Sequence, residues 1–333
     1  MKQSDFLVIG SGLAGLVFAI KAAERGTVRV VTKRQPSEGS TAYAQGGIAA
    51  AVGPDDDLAA HERDTLECGG GICSPEAVAL VIEHGPAGVQ WLADQGVPFS
   101  RDSDGRFSLG REGGHTQRRV LHVKDATGRA IMDTLLDVAR RHPRIEILPH
   151  HCVVDLIVQG KGKPGARVVG AYVLDESTRT IDPAPASATM LATGGTGKAY
   201  RYTSNPDIAT GDGVAMAWRA GCRLANLEFV QFHPTCLYHP DAKDFLISEA
   251  ARGEGGYLTT LTGEPLEIPH PLGNLAPRDV VARAIDQTMK TRGERSVYLH
   301  LETLGAERMR TRFPNIYETC LSFAIDITKQ PIP

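Results

Sequence analysis

Gly10-Ser11-Gly12-Leu13-Ala14-Gly15 has the G-x-G-x-x-G spacing and directly follows a short apolar run. Between a strand and a helix, that spacing makes a pyrophosphate site. The first glycine turns the chain, the second lets backbone N–H groups reach the phosphates, and the third packs helix on strand. The helix start adds unpaired donors and a favourable dipole. An acidic residue about 20 positions further on, which holds the ribose in NAD enzymes, is missing, because the next β-branched run ends Val31-Thr32-Lys33-Arg34. A simple NAD dehydrogenase is therefore disfavoured. Lys33 has two open readings, a contact to adenosine ribose or phosphate and a solvated loop lysine. His233 and His239 lie in a segment without helical periodicity and without a third ligand spaced nearby, a poor pattern for a metal. Arg278 follows Pro277 at a helix start, where its fork suits a carboxylate and its charge opposes the helix dipole, favouring an anion nearby.

The elements that must hold these groups are legible in outline. Asp5 to Ile9 reads as a strand, Leu13 to Arg25 as a helix stopped by Gly26, and Thr27 to Thr32 as a second strand, together a βαβ unit of the α/β class. Ser40-Thr41-Ala42-Tyr43-Ala44-Gln45-Gly46-Gly47 is too rich in small residues for a stable amphipathic helix and reads as a loop that permits close backbone approach. Ser74 and Pro75 are a helix cap and first helical residue, with apolar periodicity running to Leu92 and Gly96 as the stop. A helix is expected from about Ala126 to Arg141, then strands at Ile145–Leu148, Cys152–Val158 and Val168–Leu174. A short strand at Thr189–Ala192 runs into Thr193-Gly194-Gly195, and helical spacing resumes at Gly213–Ala220. Leu224 to Asn274 is irregular and rich in His, Pro and Gly, which suits a site-bearing region. Pro277 opens a helix to about Lys290.

Composition limits the function classes. With 36 Lys+Arg against 39 Asp+Glu and a net charge of −3 in 333 residues, no electrostatic footprint for nucleic acid or a membrane surface is expected. The six cysteines include no C-x-x-C pair, so neither a disulfide framework nor a thiolate zinc site is indicated, and a reducing cytoplasm is the expected setting. Phe6 to Ile20 is expected to be strand, turn and helix rather than a targeting or spanning segment, because glycines and Ser11 interrupt it and Lys21, Glu24 and Arg25 follow at once. No internal repeat or polar linker divides the chain, so two domains are expected to interleave, with the second as an insertion. The boundaries expected are 1–225 and 226–333.

Taken in order, Gly10 to Gly15, the STAYAQGG run, ATGG at Ala192, GDG at Gly211, QFHPT at Gln231, RGEGG at Arg252 and APRD at Ala276 resemble the fumarate reductase/succinate dehydrogenase flavoprotein superfamily, and within it the aspartate-oxidising members. The resemblance runs the length of the chain. It implies a Rossmann-like FAD-binding domain with an inserted α+β capping domain. Gly10 to Gly15, Lys33, Ser40 to Gly47, Val153 and Asp212 would contact FAD; Asp212 has the alternative of a plain turn residue. Where relatives attach flavin through a histidine this chain has Ser40, so the FAD is expected to be non-covalent. The resemblance gives Arg278, Glu112 and His233 catalytic roles and puts Gln231, Ser248 and Glu249 at the substrate. Within Arg111-Glu112-Gly113-Gly114-His115, the Glu112 carboxylate would accept from the ammonium that distinguishes aspartate from succinate, whereas bare sequence reads it as a loop glutamate. A guanidinium is a poor base, so carboxylate orientation is the role expected of Arg278.

The activity so implied is oxidation of L-aspartate to iminoaspartate with oxygen or fumarate as acceptor, the first step toward quinolinate and NAD, with quinolinate synthase as a pathway neighbour. A succinate or fumarate flavoprotein, or an inactive FAD-binding module, are the rival readings. The resemblance also puts a further histidine, a second arginine, the returning part of the FAD fold and a helical domain downstream of Pro333, so a fragment is expected. The Leu261 to Asn274 stretch departs from the usual loop before the arginine helix.

Overall fold

The computed structural model describes residues 1–243 and 245–333. They fall into two compact units, Met1–Tyr43 with Gly128–Val230, and Ala44–Thr127 with Gln231–Pro333. The units interleave in sequence. The grouping differs from a division at 225/226 in that 44–127 joins the C-terminal segment.

The first unit is built on β1 (Ser4–Ile9), α1 (Leu13–Ala22) and β2 (Val28–Thr32). Among the described residues its sheet has six strands in the order Ile145–Pro149, β2, β1, Thr180–Leu191, Arg167–Asp175, His151–Gln159. The first four are parallel and the remaining pairings antiparallel. A parallel strand is covered on both faces, and β1 shows it. Val8 packs with Ala19 and Val30 on one face, while Leu7 and Ile9 pack with Val31 and Met216 on the other.

The strand expected at Thr189–Ala192 is in fact twelve residues long, Thr180–Leu191. Pro183 and Pro185 hide its first half from a sequence reading. They are tolerated because residues 180–185 pair only with Arg167–Asp175, and pairing with β1 begins at Ala186. The missing N–H groups therefore fall where no second neighbour needs them. The Ser40–Tyr43 part of the small-residue run is not loop but one helical turn.

In the second unit, Ser74 caps the helix Pro75–Asp94 as expected, accepting from Ala77 N at 3.3 Å. The helix Leu58–Cys68 has no counterpart in the sequence reading; its cap is Asp57, which accepts from Ala60 N at 2.6 Å. Three two-residue strands, Ile48–Ala49, Val120–Leu121 and Leu109–Gly110, make a small antiparallel sheet. The C-terminal segment packs the helices Arg278–Arg292, Ala306–Arg312 and Pro314–Ser322 around Val281, Leu301, Phe313 and Ile316.

One charged group is central to this unit. The Arg119 side chain is fully buried and donates from Nε and Nη2 to both oxygens of Asp56 at 2.8 Å and from Nη1 to Asp64 at 2.6 Å. Removing one member of such a set strands the other charges away from water. Replacement of Arg119 by Met is expected to cost about 3–5 kcal/mol in denaturant unfolding; a loss within about 0.5 kcal/mol, typical of surface changes, would show that the aspartates find water instead.

Candidate functional site

Within the first unit, the carboxyl ends of β1, β2 and Thr180–Leu191 converge on a half-open cleft. Ligands of open α/β sheets bind at this point, where strand order reverses around the first strand. Gly10, Gly12, Lys33, Ser40, Thr41, Val153, Asp212 and the Ala192–Gly195 turn line it. Gly10 is left-handed at φ +108°, and a Cβ there would strike the Ala192 carbonyl, while one on Gly15 would strike the Gly10 carbonyl. The glycines let three backbone segments close up beneath the α1 N-terminus. That terminus has no side-chain cap at Gly12. The α1 amides not taken by Thr41 and the close-packed glycines fit a dinucleotide's pyrophosphate.

Several expected contacts take a different form. The Ser11 hydroxyl donates to Pro36 O at 2.9 Å and lies 3.1 Å from Thr32 Oγ1, so its side chain braces the loop and its backbone is left for a phosphate. Thr41 Oγ1 accepts from Leu13 N at 3.1 Å. Lys33 is no solvated lysine: Nζ is 2.6 Å from Asp212 Oδ2 and donates to Thr210 Oγ1 at 2.7 Å. Burial raises the Asp212 carboxyl, but hydrogen bonds from Lys33 and Thr210 outweigh it and hold the carboxyl below its ordinary value. The run Ser40–Gly47 is divided, with Ser40, Thr41, Ala42 and Tyr43 in the first unit and Ala44, Gln45, Gly46 and Gly47 in the second.

The second unit gathers the charged residues. Glu249 is buried just before the short helix Ala250–Gly253, whose first turn is supported by Ser248 Oγ accepting from Ala250 N at 3.2 Å. Glu249 Oε1 accepts from Gly113 N at 3.0 Å and lies 3.2 Å from Arg252 Nη2. Its Oε2 accepts from Arg278 Nε. The same guanidinium donates to Gln231 Oε1 at 3.0 Å and to Glu112 Oε2 at 3.4 Å. Thus Glu112, Gln231, Glu249 and Arg278 meet, from four separate stretches of chain. The Glu112 side chain is only 13% exposed, which removes the loop-glutamate reading. Its Oε1 rests on Gly46 and has no partner among the described residues.

Burial, then the neighbouring Glu249 charge, pushes the Glu112 carboxyl up against the pull of Arg278, Arg312 and Arg252. For Arg278, burial favours deprotonation but the two carboxylates win and raise its pKa. It is a fixed cation. Burial and the Arg278 and Arg252 charges drive His233 down to about 3, so its imidazole is neutral. His233 Nδ1 sits 3.1 Å from Thr235 O and 3.2 Å from Thr235 N. Ser248 Oγ is engaged as the turn's acceptor. His239 stands apart, its ring 4.8 Å from that of Phe323.

Arg252 was given no role from sequence, yet it is fully buried, donates from Nη1 to Asn274 O at 2.5 Å and completes the cluster. The signal was its spacing three residues after Glu249, which puts both on one face of a turn. The loop carrying Glu112 is tied down at several points. Arg111 Nε donates to His115 O at 2.8 Å, Gly114 N to Leu275 O at 3.1 Å, and Thr116 N and Oγ1 both to Asp64 at 2.8 Å. Burial, with Arg119 and His61, lowers His115 to about 4.

His115 and His233 thus fold neutral, whereas an unfolded histidine titrates near 6.5. A depressed folded pKa contributes stability present above pH 6.5 and lost as pH falls toward about 4 for His115 and about 3 for His233. The raised carboxyl of Glu112 works in the opposite sense. The melting temperature is expected to fall between pH 7 and 4.5, less steeply in His115→Gln; equal slopes for variant and parent would contradict the neutral assignment.

The model of the family described as FAD binding domain matches residues 5–333. An L-aspartate oxidase of Pseudomonas aeruginosa is 52% identical over 99% of this chain and 63% of its own length. One from Vibrio cholerae is 50% identical over the same shares. A solved quinol-fumarate reductase with menaquinol molecules superimposes with a TM-score of 0.90 at 32% identity, covering all of this chain and 61% of that one. The chain spans about three fifths of the length of the curated relatives it matches.

Proposed function

The chain belongs to the FAD-binding domain family, and from that membership and the Glu112–Arg278–Glu249 cluster we propose that it carries the cofactor cleft and much of the substrate site of an enzyme oxidising L-aspartate to iminoaspartate, with oxygen or fumarate as acceptor. The observation that carries the reading is a buried carboxylate, Glu112, held beside a fixed cation, Arg278. The 52%-identical relative named L-aspartate oxidase supports the choice of substrate.

Gly10, Gly12 and the α1 amides hold the FAD pyrophosphate, with Ser11, Leu13, Ala14 and Gly15 shaping that turn, and Lys33, Asp212, Val153 and the Ser40–Gly47 run holding the rest. When bound, FAD supplies a two-electron acceptor for a hydride from the substrate α-carbon. Around it the chain's residues orient and bias charge. Arg278 presents donors to a substrate carboxylate and stays protonated throughout, since two carboxylates hold it charged. His233, neutral, offers a ring N–H to a carboxylate, with Gln231 and the Ser248 hydroxyl beside that role. Glu112 accepts from the substrate ammonium and so selects an amino dicarboxylate. Glu249 keeps Arg278 in place. Residues 44–127 and 231–333 together serve as the substrate part. The electron acceptor, a cytoplasmic setting and the pathway link to quinolinate synthase belong to the same proposal. Among the described residues no helix is long and apolar enough to cross a membrane.

The likeness to a quinol-fumarate reductase supports a rival reading, a dicarboxylate without the amine. Anaerobic mixing of the FAD-loaded protein with aspartate, read as bleaching of flavin absorbance, separates the two; bleaching by succinate but not aspartate overturns the amino-acid reading. Glu112→Gln is expected to weaken aspartate about tenfold or more, the size of a lost charge-assisted hydrogen bond, and to leave succinate nearly unchanged. Equal losses for both ligands would remove the amine contact. With a serine at position 40, flavin should part from the protein on acid denaturation and filtration, and yellow colour retained by the precipitate would refute non-covalent binding.

A further inference from the structure

The stretch Cys68-Gly69-Gly70-Gly71-Ile72-Cys73 separates the helices Leu58–Cys68 and Pro75–Asp94 and has no part in the chemistry above. Gly69 O accepts from Ile72 N at 3.3 Å, closing a tight reverse turn with a cysteine on either side. Gly70 and Gly71 are both left-handed, at φ +59° and +84°, a conformation that side chains rarely adopt. The turn is compact on its inner side too. Cys73 Sγ lies against the Gly69 backbone, where any side chain at 69 would strike it. Cys68 is exposed and Cys73 half-exposed, so both thiols are open to small reagents. Cys68 also touches the loop that carries Glu112. Its Sγ packs on Gly114 and donates to Gly114 O at 3.8 Å.

We propose that Cys68 and Cys73 are a modification site, a dithiol that a hydroperoxide converts to a reversible disulfide, and that closing it withdraws Cys68 from Gly114 and loosens the Glu112 loop. Cys73 Sγ rests against Gly69, the residue next to Cys68 in the chain, so rotating the Cys68 side chain off Gly114 is the movement that brings the two sulfurs together. Every glycine between them removes a Cβ that would resist closure. Cys68 Sγ is held on Gly114 O, and partial burial with the carboxylates of Asp64 and Glu67 pushes its thiol up, so Cys73 is assigned as the attacking group and Cys68 as the resolving one. In the first step the Cys73 sulfur attacks the peroxide, an S–O bond forms, the O–O bond breaks and one water leaves. In the second the Cys68 sulfur displaces the sulfenic oxygen, the S–S bond forms and a second water leaves. Two thiols lose two electrons and two protons, and the peroxide gains them. An enzyme that passes electrons from substrate to oxygen makes such a peroxide at its own site. That source rests on the proposed function, but the dithiol chemistry itself does not.

The test uses added hydrogen peroxide on the whole chain, without turnover, so failure here is distinct from failure of the aspartate reading. After a brief exposure, alkylation and peptide mass mapping should show two of the six thiols lost and the 68- and 73-containing peptides joined, with dithiothreitol restoring both. Amide exchange at 112–116 should then quicken about tenfold, the mark of an easier local opening. In Cys68→Ser or Cys73→Ser, peroxide should leave that exchange unchanged. Both thiols still alkylated, or Cys73 carried on to sulfinic acid beside an untouched Cys68, would overturn the proposal. So would a linked pair with unaltered exchange at 112–116, which would sever it from the loop. The wild-type mapping needs no variant, so poor folding of a serine form does not protect the idea.

Discussion

Glu112 and Glu249 face one guanidinium, that of Arg278, in a place from which water is largely excluded. Two carboxylates that close would repel and take up a proton were they alone. Arg278 and Arg252 offset that repulsion and hold Glu249 in the cluster, while Glu112 is left strained toward protonation and with one oxygen unsatisfied. That unsatisfied oxygen would gain free energy from any donor brought to it. Everything nearby serves that arrangement. The Gly113 amide fixes Glu249, Gly46 gives Glu112 room, and Asn274 receives Arg252.

Burying this many charges is costly, and the second unit meets the cost by pairing rather than by exposure. The Arg119–Asp56–Asp64 set is the structural counterpart of the Arg278 cluster, and it ends on the same loop through Thr116 and His115. A loop of five residues, two of them glycine, would otherwise be mobile. Ion pairs and backbone hydrogen bonds keep its carboxylate within reach of Arg278. The cleft of the first unit is made differently. There the glycines come first, since Gly10 and Gly15 remove the side chains that would part β1 from Thr180–Leu191 and α1 from the strand ends.

Local features were readable along the chain because each depends on neighbours a few residues away. β1, α1 and β2, the Ser74–Pro75 helix start and the helix after Pro277 all matched expectation within a few residues. The long strand at Thr180–Leu191 was missed since its prolines are allowed only by the absence of a second neighbour, which is a property of the sheet. The helix Leu58–Cys68 was missed because its periodicity is weak and its cap is one aspartate among three in a row. The turn at Ser40–Tyr43 contradicted its composition, and four residues, three of them small, suffice for one turn when the flanking segments are held.

By itself the sequence determined the α/β class, the glycine-rich turn between β1 and α1, and the residue types of the charged cluster. Its ordered motifs also carried the family. Tertiary structure alone decided their partners. Lys33 meets Asp212 across 179 positions and Arg278 meets Glu112 across 166, and no periodicity of 2 or 3.6 encodes a separation of that size. Whether a carboxylate is a solvated loop residue or a buried acceptor with a raised pKa depends on which distant charges and how little water surround it. Those are set when the chain packs, and for Glu112 packing is what makes it a buried acceptor.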